Sequence, residues 1–183
     1  SGLNGIVSFD QKTNLQNINL IRPLLKFSKE NLEYITKKVF KNYIEDPSNK
    51  NDKFKRVKIR NFIKNLELEG LDKDKFNLTI KNLRFANESI KYFVEKNLKE
   101  NSTISNINEF VILNKNFFLQ PEEVVFRSLT EVLKSVGKKY YPVRGKKIDK
   151  LLYQIKNDNS FITTLGNCVI KKVNNSVIVS KER

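Results

Sequence analysis

Two adjacent carboxylates, a proline turn and a series of cations share residues 45–60, EDPSNKNDKFKRVKIR. Glu45 and Asp46 are of the type that binds a metal ion or works as an acid–base pair. A turn leading into a helix N-terminus explains the same pair more simply, because anionic side chains there complement the helix dipole. Asp46-Pro47-Ser48-Asn49 has turn chemistry: Asp and Asn fold back onto the backbone, and Pro fixes φ. The pattern after it predicts a helix over 53–68. At about 100° per residue, Lys53, Arg56, Arg60 and Lys64 fall in a stripe about 80° wide. Ile59, Phe62, Ile63 and Leu66 fall in a separate arc beside it, which predicts a helix with one buried face and a cationic edge. The stripe holds no carboxylate, so an anion opposite would relieve the repulsion among its cations. A solvated face is the alternative.

Other chemistries are closed off by composition. There is no histidine, so neither a Ser/His/Asp set nor a Cys–His pair can form, and a zinc site is not expected. Cys168 is the single cysteine, which excludes an internal disulfide framework, fits a reducing compartment and reads as a buried strand residue. No Gly-rich phosphate loop of the P-loop or dinucleotide type is present. By composition alone the chain is a binding module rather than a complete enzyme. Lys and Arg number 35 against 20 Asp and Glu, a formal charge of +15. Such an excess points to a polyanion, nucleic acid first and an anionic membrane surface second. Compositional drift toward Lys, Asn and Ile codons would account for part of it. No apolar run approaches the roughly 20 residues needed to span a bilayer, and no signal peptide is seen. A cytoplasmic location follows as the expectation.

The elements that must position these residues can be read in order. With 183 residues, one domain or one and a half can form, and 13 Phe predict a phenylalanine-based core. Gly2 and Gly5 suggest a flexible loop entering a short helix. INLIRPLL, 18–25, reads as extended, with Pro23 at a strand edge or end. Ser28 caps a predicted helix over 29–41 with Leu32, Ile35 and Val39 at helical spacing. Gly70 ends the 53–68 helix, and Asp72 caps a long one over 73–100 with a stripe of Phe76, Ile80, Leu83, Ile90 and Val94. ENSTISN, 100–106, reads as a linker, and FVIL, 110–113, as a short strand. Pro121, Glu122 and Glu123 open a helix that Gly137 closes. Another helix covers 143–156 through Ile148, Leu151, Leu152 and Ile155. The tail, FITTL-GN-CVIKKV-NN-SVIVSKE, reads as an antiparallel meander. The fold class is α+β, predominantly helical with a small C-terminal antiparallel β-meander.

The ordered landmarks SGLNGI (1–6), IRPLL (21–25), EDPSN (45–49), F-x-R-x-x-x-R (54–60), EGL (69–71), PEE (121–123), YYPVRGKKIDKLL and TLGNCVIKKVNNSVIVSKE resemble the tRNA(Ile)-lysidine synthetase family. No single motif is strong; the ordered set is, and it spans essentially the whole chain. The resemblance implies an N-type ATP pyrophosphatase with tRNA-binding domains. Such an enzyme activates C2 of the wobble cytidine of the CAU-anticodon isoleucine tRNA with ATP as an adenylate, and lysine then displaces AMP. Decoding changes from AUG to AUA.

It further implies ATP with magnesium, lysine as co-substrate, no membrane partner, and allows a homodimer. The family's SGGxDS loop is not in this sequence, so the chain is expected to be part of a longer protein and inactive alone, with no catalytic residue of its own. Residues 1–52 would end the catalytic domain. Residues 53–183 would bind tRNA, helical over 53–106 and α+β over 107–183. By the same resemblance Ser1, Gly2 and Gly5 match a loop bordering the active site, where glycine lets backbone amides approach phosphate. Asp46, Ser48 and Asn49 match a turn at the domain joint. Lys53, Arg56, Arg60 and Lys64 face phosphate or tRNA, or Arg56 and Arg60 pair with Asp46. Val57 departs from the Asn that many members carry. A stand-alone basic RNA-binding module is the alternative reading, and a helical interaction domain a third.

Overall fold

The structure is a computed structural model that describes residues 2–7, 11–15, 18–42, 44, 46–51, 53–105 and 110–182. It divides into two compact units, Ser1–Asn87 and Glu88–Arg183, called unit 1 and unit 2 below.

Unit 1 begins with the short helix α1, Gly2–Val7. The short helix expected near the start is present, and Gly2 and Gly5 lie within it instead of in a loop leading to it. The strands β1, Lys12–Leu15, and β2, Ile18–Ile21, pair antiparallel as a hairpin. A 3-10 turn at Pro23–Lys26 follows, started by proline's fixed φ. Helix α2, Lys29–Phe40, is capped as its sequence predicts: the Ser28 side chain accepts from the Asn31 amide at 3.2 Å. A second 3-10 turn, Pro47–Lys50, leads to α3, Lys55–Leu68. Gly70 takes φ +99°, a conformation that side-chain-bearing residues rarely adopt, and so ends α3. The Asp72 carboxylate then accepts from the amides of Asp74 and Lys75 at 2.8 and 3.1 Å and starts α4, Lys73–Asn101.

The predicted stripe on α4 is present and extends further. Ile80, Leu83 and Ile90 are partly buried and Val94 is buried, while Phe76 at the N-terminal end is exposed. Asn87, Asn97 and Asn101 occupy the same spacing and are buried as well.

In unit 2, Ser102–Ser105 form a strand, β3, where the sequence read as a linker. Its polar residues suit an edge. The partner strand β4, Phe110–Leu113, supplies the hydrogen bonds in a register running from Ser102↔Leu113 to Ser105↔Phe110. Helix α5, Glu122–Val136, and helix α6, Gly145–Asn157, come next. Then β5, Phe161–Thr164, β6, Cys168–Val173, and β7, Ser176–Lys181, form the expected meander. The whole sheet has the order β3-β4-β7-β6-β5, every neighbour antiparallel. Alternation puts Val111, Leu113, Val177, Val179, Cys168 and Ile170 on one buried face. Leu129, Val132 and Leu133 of α5 and Ile148, Leu151 and Ile155 of α6 complete that core. Cys168 is buried as expected. Burial pushes its thiol up to about 11, with Glu182 adding to the effect.

Buried polar groups in unit 2 are joined. Asn97 donates to the Phe117 carbonyl at 3.3 Å and to Ser128 Oγ at 3.1 Å, and accepts from Asn101 at 2.9 Å. This set ties α4 to α5 and to the 3-10 turn Lys115–Leu119. At the other end of the core, Lys172 Nζ donates to the carbonyls of Ile155 and Asp158, meeting the C-terminal end of α6 with a cation.

Candidate nucleic-acid interface

The turn before α3 is organised by Asp46. Its Oδ1 accepts from the Ser48 amide at 2.8 Å, and its carbonyl accepts from the Asn49 amide at 3.0 Å. Asn51 repeats the device one step on, its Oδ1 accepting from the Lys53 amide at 2.9 Å. The Ser48 backbone N–H, then the Ser48 side chain, hold the Asp46 carboxyl below its usual value, with a smaller push from Arg56. Arg56 Nη2 meets Ser48 Oγ at 3.5 Å, the outer limit of a hydrogen bond, and its guanidinium lies 5.4 Å from the centre of the Phe54 ring. Among the described residues no ion pair joins Asp46 to Arg56 or Arg60. The turn is thus held by its own backbone, and the arginine leans on it.

The structure places the sequence-predicted residues as follows. Arg56, Arg60 and Lys64 are exposed on α3, and Lys53 is exposed just ahead of the helix instead of in its first turn. Helix α3 opens with Lys55, Arg56 and Lys58, without an acid in its first turn or a side-chain cap. Asp46, Ser48 and Asn49 come together in the turn, Ser48 half-buried and the others exposed. Gly2 and Gly5 lie in α1. Ser1 and Glu45 lie outside the described residues.

Of the arc expected to be buried, Ile59, Phe62 and Ile63 are exposed and Leu66 is half-buried, while Val57 beside them is buried. Val57 therefore has a packing role at a position where a polar residue would have offered a hydrogen bond. Among the described residues, no group of three or more Asp, Glu or Cys side chains is placed to hold a metal ion. No described helix is long and apolar enough to cross a membrane.

Chemically, this arrangement offers exposed positive charge beside a turn held by its own backbone. Residues 1–67, from α1 to the last turn of α3, match the PP-loop domain family. Over all 183 residues the chain is 25% identical to the tRNA(Ile)-lysidine synthase of Wolbachia sp. subsp. Brugia malayi, covering 100% of this chain and 42% of that protein. The synthase of Wolbachia pipientis wMel is 26% identical with the same coverage. That of Anaplasma marginale is 28% identical over 174 residues, 94% of this chain and 37% of that protein. The chain is similar, end to end, to tRNA(Ile)-lysidine synthases.

The chain spans 42% of the length of the two Wolbachia relatives. The similarity to these synthases continues past residue 67 through the five-stranded sheet of unit 2. The sequence landmarks therefore pointed to the same synthases as this similarity. They did not single out residues 138–147 as a surface. The signal was available there: five Lys or Arg and two adjacent Tyr, without a carboxylate.

Proposed function

We propose that this chain is part of a tRNA(Ile)-lysidine synthetase. The complete enzyme would use ATP to activate C2 of the wobble cytidine of the CAU-anticodon isoleucine tRNA as an adenylate, and lysine would displace AMP. This chain contributes tRNA binding. Lys53, Arg56, Arg60 and Lys64 contact phosphate, and the Asp46–Asn49 turn fixes the joint from which they project. ATP, magnesium and lysine are bound chiefly by residues other than those described here, and the chain by itself is inactive. Residues 53–183 form the tRNA-binding portion, and the working location is cytoplasmic.

The observation that carries this reading is the full-length similarity to tRNA(Ile)-lysidine synthases, with the PP-loop match ending inside the cationic helix α3. The formal charge of +15 supports a polyanionic partner. The exposed apolar arc of α3 supports a further protein surface beside it, such as the rest of a PP-loop domain.

The test compares binding of the CAU-anticodon isoleucine and methionine tRNAs at physiological salt. Preference for the isoleucine tRNA is expected, because a shared anticodon leaves the rest of the tRNA to be read. Equal binding would reduce the chain to an electrostatic cradle, and no binding to either would overturn its role in tRNA binding. Lysidine formation should appear only when a PP-loop portion carrying the SGGxDS sequence is added.

A further inference from the structure

Unit 2 carries a second cationic surface, separate from α3 in sequence and different in chemistry. Residues 138–147 read KKYYPVRGKK, with Glu131 and Asp149 the nearest carboxylates on either side in sequence. Tyr140 and Tyr141 are 70% and 76% exposed. Their ring centroids are 4.8 Å apart and their planes meet at 84°, so neither ring lies flat on the other. Lys138, Lys139, Arg144, Lys146 and Lys147 are all exposed around them.

The loop is tied to the core on both sides of the tyrosines. At Gly137 an added Cβ would lie 2.1 Å from the Gly166 carbonyl oxygen and 3.2 Å from Cys168 Sγ. Lys138 turns the chain at φ 49°, and the amides of Lys138 and Lys139 donate to the carbonyls of Ser135 and Lys134. Beyond the tyrosines, the Val143 side chain packs so closely on Gly166 that a Cβ there would approach it to 2.7 Å. The loop that carries the two rings is thus anchored on both sides, which lowers the cost of ordering its backbone on binding.

We propose that this loop binds unpaired RNA, with a base stacked on Tyr140 or Tyr141 and the flanking phosphates held by the surrounding Lys and Arg side chains. This rests on the reading that the chain's partner is RNA. Charge complementarity selects a polyanion, and the rings select its form. Base faces are available for stacking in single strands and hidden inside an A-form duplex. The first turn of α6, with Lys146 and Lys147 and no acid, gains from the same phosphates by relief of its dipole clash.

The test uses the full 183-residue chain with a fluorescent single-stranded oligoribonucleotide, an RNA duplex of equal length, and phosphatidylserine vesicles. The double variant Tyr140→Ala/Tyr141→Ala should lose roughly ten-fold or more in single-strand affinity, with the duplex affinity and the salt slope unchanged. Tyr140→Phe/Tyr141→Phe should bind as the parent does, because the ring and not the hydroxyl is used. Lys146→Ala/Lys147→Ala should weaken both RNAs and flatten the salt slope.

An unchanged single-strand affinity in the Tyr→Ala double variant would overturn the proposal. So would equal loss for duplex and single strand, or tyrosine-dependent binding to vesicles without binding to RNA. Both tyrosines are exposed, so an unaltered melting temperature is the expected control. Tyrosine-dependent binding without preference between the two tRNAs would leave this surface standing while the selectivity reading failed. Absence of all RNA binding would overturn both.

Discussion

Units 1 and 2 are similar in apolar patterning and differ in what covers it. In unit 2, Leu113, Phe117, Leu129, Leu133, Ile148 and Ile170 are completely buried between two helices and one face of the sheet. In unit 1, among the described residues, the buried apolar side chains are Val7 and Val57. Ile35 and Val39 of α2 and Ile59 and Phe62 of α3 have equally regular spacing and remain exposed. Periodicity therefore specifies which face of a helix is apolar. Whether that face is covered depends on the other surfaces within reach.

The largest expected effect separates the units directly. Leu129→Ala removes a fully buried side chain from α5 and should destabilise the chain by about 2–5 kcal/mol. Phe62→Ala removes a larger side chain that is 62% exposed, and should change stability by about 0.5 kcal/mol or less. Urea denaturation followed by circular dichroism measures both. Equal losses would mean that α3 is covered in solution, and the contrast between the units would fall.

A smaller effect is expected from the polar side of the same core. Asn97→Leu keeps the volume but leaves Ser128 Oγ, the Phe117 carbonyl and the Asn101 amide without the bonds they make to Asn97. A loss of about 1–3 kcal/mol is expected, because orphaned buried groups cost more than an average hydrogen bond contributes. The same urea measurement checks it. A neutral result would show that water replaces the amide. Unit 2 would then be specified by its apolar contacts alone.

Much of this architecture was legible in the chain because local signals and tertiary need agreed. Ser28, Asp46, Gly70, Asp72 and Gly137 each mark a boundary that the structure places within a residue or two. The meander was legible because its turns are GN and NN dipeptides between alternating strands. Strand β3 was hidden because an edge strand needs hydrogen-bond partners more than apolar residues, and β4 supplies those partners from further along the chain, in a register from Ser102↔Leu113 to Ser105↔Phe110. The buried asparagines of α4 were hidden for a related reason. Asn reads as surface until Ser128, 31 residues beyond Asn97, provides its partner. At the candidate interface, the turn and the cationic residues were legible as types. The choice between an Asp46–Arg56 ion pair and a turn closed by its own amides depends on side-chain geometry that residue spacing does not encode.

The smallest expected effect concerns that choice. The Asp46 carboxyl titrates below its usual 3.8, chiefly through the Ser48 backbone N–H, then the Ser48 hydroxyl, with Arg56 a lesser contributor. A carboxylate depressed in the folded state stabilises the turn fully above the unfolded pKa. That contribution is lost as pH falls through the lower, folded pKa. An NMR titration of the Asp46 carboxyl and the Ser48 amide should therefore show a shared midpoint below 3.8. Ser48→Ala keeps the backbone donor and removes the hydroxyl, so it should raise the midpoint part of the way. Arg56→Gln should raise it less. The reverse order would mean that the charge of Arg56, and not the backbone of the turn, holds the carboxylate. Arg56 would then be committed to Asp46 and unavailable to a phosphate, and the cationic edge of α3 would shrink to Arg60 and Lys64.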